Sequence, residues 1–283
     1  MKFTKLTNQQ QENFESDGFL IVPNALNGEQ LGLLTEVGDR LVENKKSGRG
    51  ADVDWAADGT TRLRADIRNL IEMDEAFLPL LTLPTTVPLI VQLLGSKIQL
   101  HTSHLIWRYP SLGGTADTFR YPNWHRDIAR MTNDISDDAM PRVEIKVAYF
   151  LSDFSTNDHG QTRFAKGSHL WKATMNLKKG AVDPEEMVIP VGKAGDAVFF
   201  ENRTWHAAGP NFQQLRKTIM FGYSRRWIRP DDYVKQPQEL LDRCTELERS
   251  LIDPQDNFDE SGAFMPGGKP YAIDEWAELH GIK

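Results

Sequence analysis

The feature that most constrains this chain is Trp124-His125-Arg126-Asp127, read together with Thr204-Trp205-His206. On an extended strand, residues two apart share a face, so the His125 imidazole and the Asp127 carboxylate can converge on one point. His206 lies too far along the chain to join them through local geometry, and the fold has to deliver it. Two histidines and one carboxylate on one face of a metal, with the other positions open, form the donor set of a non-haem Fe(II) oxygenase centre. A His-x-Asp alone recurs by chance as a strand-edge or surface contact, so the reading depends on what accompanies it.

Arg216 accompanies it. It opens the run Arg216-Lys217-Thr218-Ile219-Met220-Phe221, which reads as the start of a buried strand. A guanidinium there can hold a carboxylate through two parallel hydrogen bonds. A metal triad with a carboxylate-binding arginine on the next strand is what a 2-oxoglutarate-dependent oxygenase requires.

Composition removes other classes. The net charge is −7 with no block of lysine or arginine, which argues against nucleic acid as a partner. The lone cysteine, Cys244, excludes an intrachain disulfide and fits a reducing cytoplasm. No apolar leader follows Met1-Lys2 and no apolar run reaches membrane-spanning length, so a cytoplasmic chain with no membrane partner is expected.

The 283 residues read as one domain in three parts. Residues 1–96 form a mainly helical scaffold, with a capped helix over 7–17, a short strand stopped at Pro23 and an amphipathic helix over 27–46. A polar loop is expected from Gly48 to Thr61, then a helical stretch from Arg64 to Leu94 broken by Pro79, Pro84 and Pro88. Residues 97–228 turn to short strands separated by turn signals, the pattern of a sandwich or jelly roll. Strands are read over 98–109, 143–151, 188–191, 196–201 and 218–227, with Lys146 oddly placed inside the second. Residues 229–283 form a polar tail with one helix from Pro237 to Leu251.

These residues also carry a resemblance. Gly18-Phe19-Leu20-Ile21-Val22-Pro23, Trp124-His125-Arg126-Asp127, His159-Gly160 with Lys166-Gly167-Ser168-His169, Gly195-Asp196, His206 to Asn211, and Arg216 occur in the order of the phytanoyl-CoA dioxygenase-like family. The chain resembles that family over roughly residues 7 to 227. The resemblance implies a mainly β fold, a double-stranded β-helix (jelly-roll, cupin-like) core flanked by mostly N-terminal α-helices. It implies Fe(II) held by His125, Asp127 and His206, with 2-oxoglutarate and O₂ as co-substrates. Arg216 would bind the far carboxylate of 2-oxoglutarate, and Trp107 and Ser103, two strand positions of one parity, would line its pocket.

The chain departs from the family pattern at Ala208, where a serine often adds a hydrogen bond to that carboxylate. Lys166 and His159 replace a proline and an asparagine. Asp127 is kept, whereas related halogenases have a small residue there, so hydroxylation or another oxidation is expected over halogenation. Arg126 and Arg130 flank the motif and would bind an acidic group of a small substrate, a carboxylated amino-acid derivative or natural product; pairing with Asp134, Asp137 or Asp138 is the competing assignment. His169 is read as structural, His101, His104 and His159 as satisfied or exposed, and His280 as solvated. Two alternatives stay open: a catalytically silent jelly-roll binding protein, and an oxygenase acting on an acyl-CoA. Substrate identity and oligomeric state are not legible.

Overall fold

The structure, a computed structural model, describes residues 3–44, 51–55, 62–111, 123–128, 131, 134–136, 140–156, 159–172, 175, 177–179, 181–253, 261, 263 and 270–282, with backbone alone at 51–53 and 55. Helix α1 (Asn8–Asp17) begins at Thr7, whose hydroxyl accepts from the Gln10 N–H while the Gln10 side chain accepts from the Thr7 N–H. This reciprocal cap satisfies two donors that the first turn leaves open. Strand β1 (Phe19–Val22) and helix α2 (Gly28–Asn44) follow as expected, with Leu34, Val37 and Val42 of α2 buried.

The next stretch corrects the sequence reading. The expected loop contains strand β2 (Ala51–Trp55), and the expected helix begins instead as strand β3 (Arg62–Arg68). Residues 64–68 do alternate: Ala65 and Ile67 are buried, and Arg64, Asp66 and Arg68 share the opposite face, where Asp66 is buried, Arg64 partly so and Arg68 exposed. With two apolar members, one of them alanine, the run is too short for its alternation to decide between strand and helix. Helix α3 (Leu70–Met73), a 3-10 stretch (Glu75–Thr82) and α4 (Val87–Leu94) then divide the apolar run near its prolines.

Strands β4 (Ile98–Arg108), β5 (Glu144–Phe150), β6 (Thr162–Ala165), β7 (Met187–Val188), β8 (Ala197–Glu201), β9 (His206–Ala208) and β10 (Arg216–Arg225) complete the sheets. The large sheet runs β1-β8-β5-β10-β4-β3-β2, and the small one β7-β6-β9. The ladders are antiparallel. The two sheets form the jelly-roll core and close around a small apolar cluster that includes Ile106, Ala148, Phe164, Val198, Phe200 and Met220.

The other face of the large sheet carries the main core. Leu105, Trp107, Val147, Tyr149, Ile219 and Phe221 pack there against the helices in a cluster that reaches from Phe14 to Ile282. One sheet therefore has a dry helical face and an inner face that is free to carry function. The tail holds α5 (Gln238–Leu241), α6 (Glu246–Ile252) and α7 (Ala272–Leu279). The single helix expected there is split because Thr245 caps α6 with Glu248. His280, expected in solvent, is partly buried against Phe3, with ring centroids 4.4 Å apart and the planes tilted by 51°. Among the described residues no single helix is long and apolar enough to cross a membrane.

Candidate metal centre

His125 and His206 meet through a main-chain bridge rather than through a full strand. His125 N–H donates to His206 O at 3.0 Å, and His206 N–H donates back to His125 O at 2.9 Å. The bridge sets the two imidazoles side by side, with centroids 4.2 Å apart. Just past His125 the chain turns at Ile128, which has φ +52°, and Asp127 swings beneath the rings. One ligand atom from each of His125, Asp127 and His206 lies within 4.8 Å of the others.

Each donor is oriented from behind. His125 Nδ1 lies 3.0 Å from Asn123 O and His206 Nδ1 lies 2.9 Å from Thr204 O, which leaves each Nε2 to face the shared point. Burial lowers the His206 pKa to about 4 against the opposing pull of Asp127, so this imidazole is neutral and able to ligate at neutral pH. Burial pushes the Asp127 carboxyl up, but Lys146 and His206 outweigh it and hold the group well below the usual carboxylate range. Lys146 Nζ sits 2.9 Å from Asp127 Oδ1, while Oδ2 turns toward His206 Nε2 at 3.7 Å. Asp127 Oδ2 is buried with no hydrogen-bond partner among the described residues. Two imidazole nitrogens and one unused carboxylate oxygen around a point fit a divalent transition metal.

The remaining motif segments serve as braces. Ser168 Oγ accepts from Trp205 N–H at 2.8 Å and so positions the strand that carries His206. Thr204 Oγ1 donates to Gly18 O at 2.8 Å, and His169 Nε2 meets Glu15 O at 2.9 Å. Asp196 accepts from the Asn24 and Lys193 N–H groups at 2.8 and 2.9 Å, which ties β8 to the segment after β1. These contacts account for His169 and Asp196 without any role in chemistry.

At the other end of the inner face lies Arg216, which is 3% exposed. Its Nε donates to Thr218 Oγ1 at 3.3 Å and its Nη2 to Thr162 Oγ1 at 3.2 Å. No carboxylate lies against it among the described residues. Burial, then repulsion from Arg108 and Arg64, lowers its pKa to about 9, which still leaves it charged at neutral pH. A buried cation held only by hydroxyl groups is costly unless an anion completes it. Gly160, at φ +78°, leaves room for the stem: a Cβ there would lie 3.3 Å from Arg216 Cδ and 2.9 Å from Asn211 Cβ.

The sequence profile of the phytanoyl-CoA dioxygenase (PhyH) family matches residues 14–217. The chain belongs to that family. It is 32% identical over 133 residues to the dioxygenase cdmA of Talaromyces verruculosus, covering 46% of this chain and 44% of that protein. It is 28% identical over 147 residues to the dioxygenase aneA of Aspergillus aculeatus, covering 49% of this chain and 47% of that one. The matches thus span less than half the length of these relatives. Among solved structures, SnoN, a non-heme alpha ketoglutarate dependent epimerase from nogalamycin biosynthesis, superposes with a TM-score of 0.54 at 21% identity. That superposition covers 77% of this chain and 82% of SnoN and shows a shared fold.

Against the family pattern, three positions read from the sequence are placed elsewhere. Trp107 and Ser103 face the helical layer, not the site: Trp107 Nε1 donates to Asp39 at 2.8 Å, and Ser103 Oγ accepts from Leu70 N–H at 3.0 Å. The residues of β4 that face inward are of the other parity, His104, Ile106 and Arg108. Arg126 stands opposite Trp205 across the bridge, with its guanidinium 5.0 Å from that ring, on the reverse side from the two imidazoles. Arg130, Asp137 and Asp138 lie outside the described residues. Ala208 offers no hydroxyl, but its register partner Thr162 does, and Thr162 Oγ1 accepts from Arg216 Nη2. Nothing in the local sequence marks Thr162; only the pairing of β6 with β9 reveals it.

The inner face holds two further polar groups, of which His104, read from the sequence as satisfied or exposed, is buried with neither ring nitrogen hydrogen-bonded among the described residues. His104 lies 3.5 Å from Asp66. Glu144, two residues before Lys146 on β5, is 1% exposed, and neither carboxylate oxygen has a hydrogen-bond partner among the described residues. Gly222 makes room for it, since a Cβ there would lie 2.5 Å from Glu144 Oε1. Burial raises the Glu144 pKa to about 7, with Lys146 opposing. Folded Glu144 thus holds its proton more tightly than the unfolded chain does, and its contribution to stability falls as pH rises from about 4.5 to 7. We therefore expect Glu144→Gln to raise Tm, relative to wild type, by more at pH 8 than at pH 5. A difference in Tm that is the same at both pH values would show that Glu144 titrates normally.

Proposed function

We propose that the protein is a non-haem Fe(II)- and 2-oxoglutarate-dependent dioxygenase that hydroxylates an aliphatic C–H of a small carboxylated amino-acid derivative or natural product. The observation that carries this is the pairing, inside one jelly roll, of the His125-Asp127-His206 cluster with the buried Arg216, which has only hydroxyl partners. Family membership and relatives named as dioxygenases support the same reaction class. A silent binding protein would have no need to keep three donors and a costly buried arginine together.

In this reading, iron and 2-oxoglutarate together supply the activation of O₂, with succinate, CO₂ and an oxidised C–H as products. The chain supplies the rest. His125, Asp127 and His206 hold the metal from one side and leave the other positions open. Arg216, backed by Thr162 and Thr218, takes the far carboxylate of 2-oxoglutarate and sets its orientation. Phe164 and Phe200, with ring centroids 6.0 and 4.8 Å from that of His206, keep bulk water from the imidazole. Lys146 has three N–H donors, of which Asp127 takes one, and the others favour an anionic substrate group beside the metal. With Arg126 on the reverse face, Lys146 is the cation that supports a carboxylated substrate.

Three outcomes test the proposal. Anaerobic titration should show one Fe(II) per chain, and His206→Ala should abolish both this binding and substrate-dependent succinate release; a fully active His206→Ala enzyme refutes the metal assignment. Arg216→Ala should raise the KM for 2-oxoglutarate by roughly tenfold to a hundredfold, and Arg216→Lys should recover only part because lysine cannot form the fork. An unchanged KM in Arg216→Ala would remove the arginine from the site. Finally, wild type should turn over a carboxylate substrate faster than its methyl ester, and Lys146→Met, compared per bound iron because the change also unpairs Asp127, should erase the preference. Equal rates with acid and ester in wild type would sink the carboxylate reading.

A further inference from the structure

Strand register sets three guanidinium groups in a row on the inner face. Arg216 of β10 stands opposite Arg108 of β4, and Arg108 stands opposite Arg64 of β3. Like charges directly opposite one another across a sheet destabilise it, and burial makes the repulsion stronger. Among the described residues one acid is in ion-pair contact with the row, Asp66 on Arg64. Arg108 forms no hydrogen bond or ion pair through its side chain among the described residues, and its Nε is buried without a partner. Arg216 reaches only the Thr162 and Thr218 hydroxyls. Burial and the neighbouring Arg64 lower the Arg108 pKa as well, against the weaker opposing pull of Asp66 and Asp54, neither of which forms an ion pair with it. The geometry is nonetheless actively held: Asn211 Nδ2 donates to Arg108 O at 3.0 Å and to Gln214 O at 2.8 Å, which buckles the end of β4 to the approach of β10.

We propose that Arg108 is a second ligand for the far carboxylate of 2-oxoglutarate, which it shares with Arg216 across the two neighbouring strands. This rests on the 2-oxoglutarate reading given above. A carboxylate has lone pairs enough for two guanidinium groups, and one placed between them turns a repulsive pair into two attractive contacts. With Thr162 Oγ1 engaged by Arg216, Arg108 would also supply the carboxylate contact that Ala208, lacking a hydroxyl, does not. Arg108 is thus a binding residue for the co-substrate and sets selectivity for a 2-oxo acid with a second carboxylate.

The test uses the full chain loaded anaerobically with Mn(II). Calorimetry measures the affinity for 2-oxoglutarate and for 2-oxopentanoate, which lacks the far carboxylate, and Tm is recorded without either ligand. In Arg108→Met, 2-oxoglutarate should bind roughly tenfold to a hundredfold more weakly while 2-oxopentanoate binds as in wild type. Tm without ligand should hold or rise, because a repulsion has been removed. Arg108→Lys should restore part of the affinity. A packing role alone would instead lower Tm and weaken both acids equally, and that result overturns the inference. So does unchanged 2-oxoglutarate affinity in Arg108→Met, including a case where only substrate KM moves, provided Arg216→Ala still weakens 2-oxoglutarate; the co-substrate reading then survives. If wild type with Mn(II) binds no 2-oxoglutarate, both fall together.

Discussion

Two main-chain hydrogen bonds between His125 and His206 hold the metal cluster together. The rings they carry come from segments with no continuous strand pairing between them, since the contact is a single bridge. A single bridge is weak by itself, and the structure reinforces it from both ends. Trp124 Nε1 donates to Val182 O at 3.1 Å on one side, and Ser168 Oγ fixes the Trp205 amide on the other. Arg126 over Trp205 packs the reverse face of the same bridge. The Gly-Ser-His turn, the Gly18 carbonyl and Thr204 thus matter through where they put His206, although none of them joins the cluster.

The two faces of the large sheet divide the work. Stability comes from the face turned to the helices, where Trp107, Tyr149, Phe221 and their neighbours are fully buried. The inner face carries charge from end to end: Arg216, Arg108 and Arg64 at one end, Asp66 and His104 further along, then Lys146 and Glu144. Such a face weakens the fold wherever a charge lacks a partner. The main core on the opposite side is large enough to carry that cost. The overall charge of −7 therefore says little about the interior, which is basic at the end where a carboxylate is expected.

How much of this was legible depended on whether the signal was local. His125, Asp127, His206 and Arg216 were readable because chemistry fixes their residue types, and the structure brings the first three together. The strands of the jelly roll were readable where apolar residues alternate, as in Glu144–Phe150. Strand β3 was misread because Ala65 and Ile67 are the apolar residues between Arg64, Asp66 and Arg68, a run too short to separate a half-buried strand from a polar helix. Trp107 and Ser103 were assigned to the wrong side by one residue of register, and in a strand one residue inverts every side chain. The sequence offers little to decide that parity: along β4 every residue but the last is buried, so both faces look like core. Thr162 and the Arg108–Arg216 pairing belong to strand order, which becomes available only when the fold does.

Lys146 shows why an apparently misplaced residue can be required. Asp127 has little contact with water and stands beside two imidazoles, of which His206 is neutral at neutral pH. Without a metal, its carboxylate would be an uncompensated buried charge, a strongly destabilising arrangement. Lys146 supplies the missing charge at 2.9 Å and takes Oδ1 in doing so. That leaves Oδ2 as the oxygen turned to His206 and to the point the three donors share. An apolar residue at position 146 would satisfy the strand pattern better, yet it would leave Asp127 both unpaired and free to rotate. The lysine within this otherwise buried strand is therefore explained by the donor cluster, and it could have been read as a sign that a carboxylate lies across from that strand.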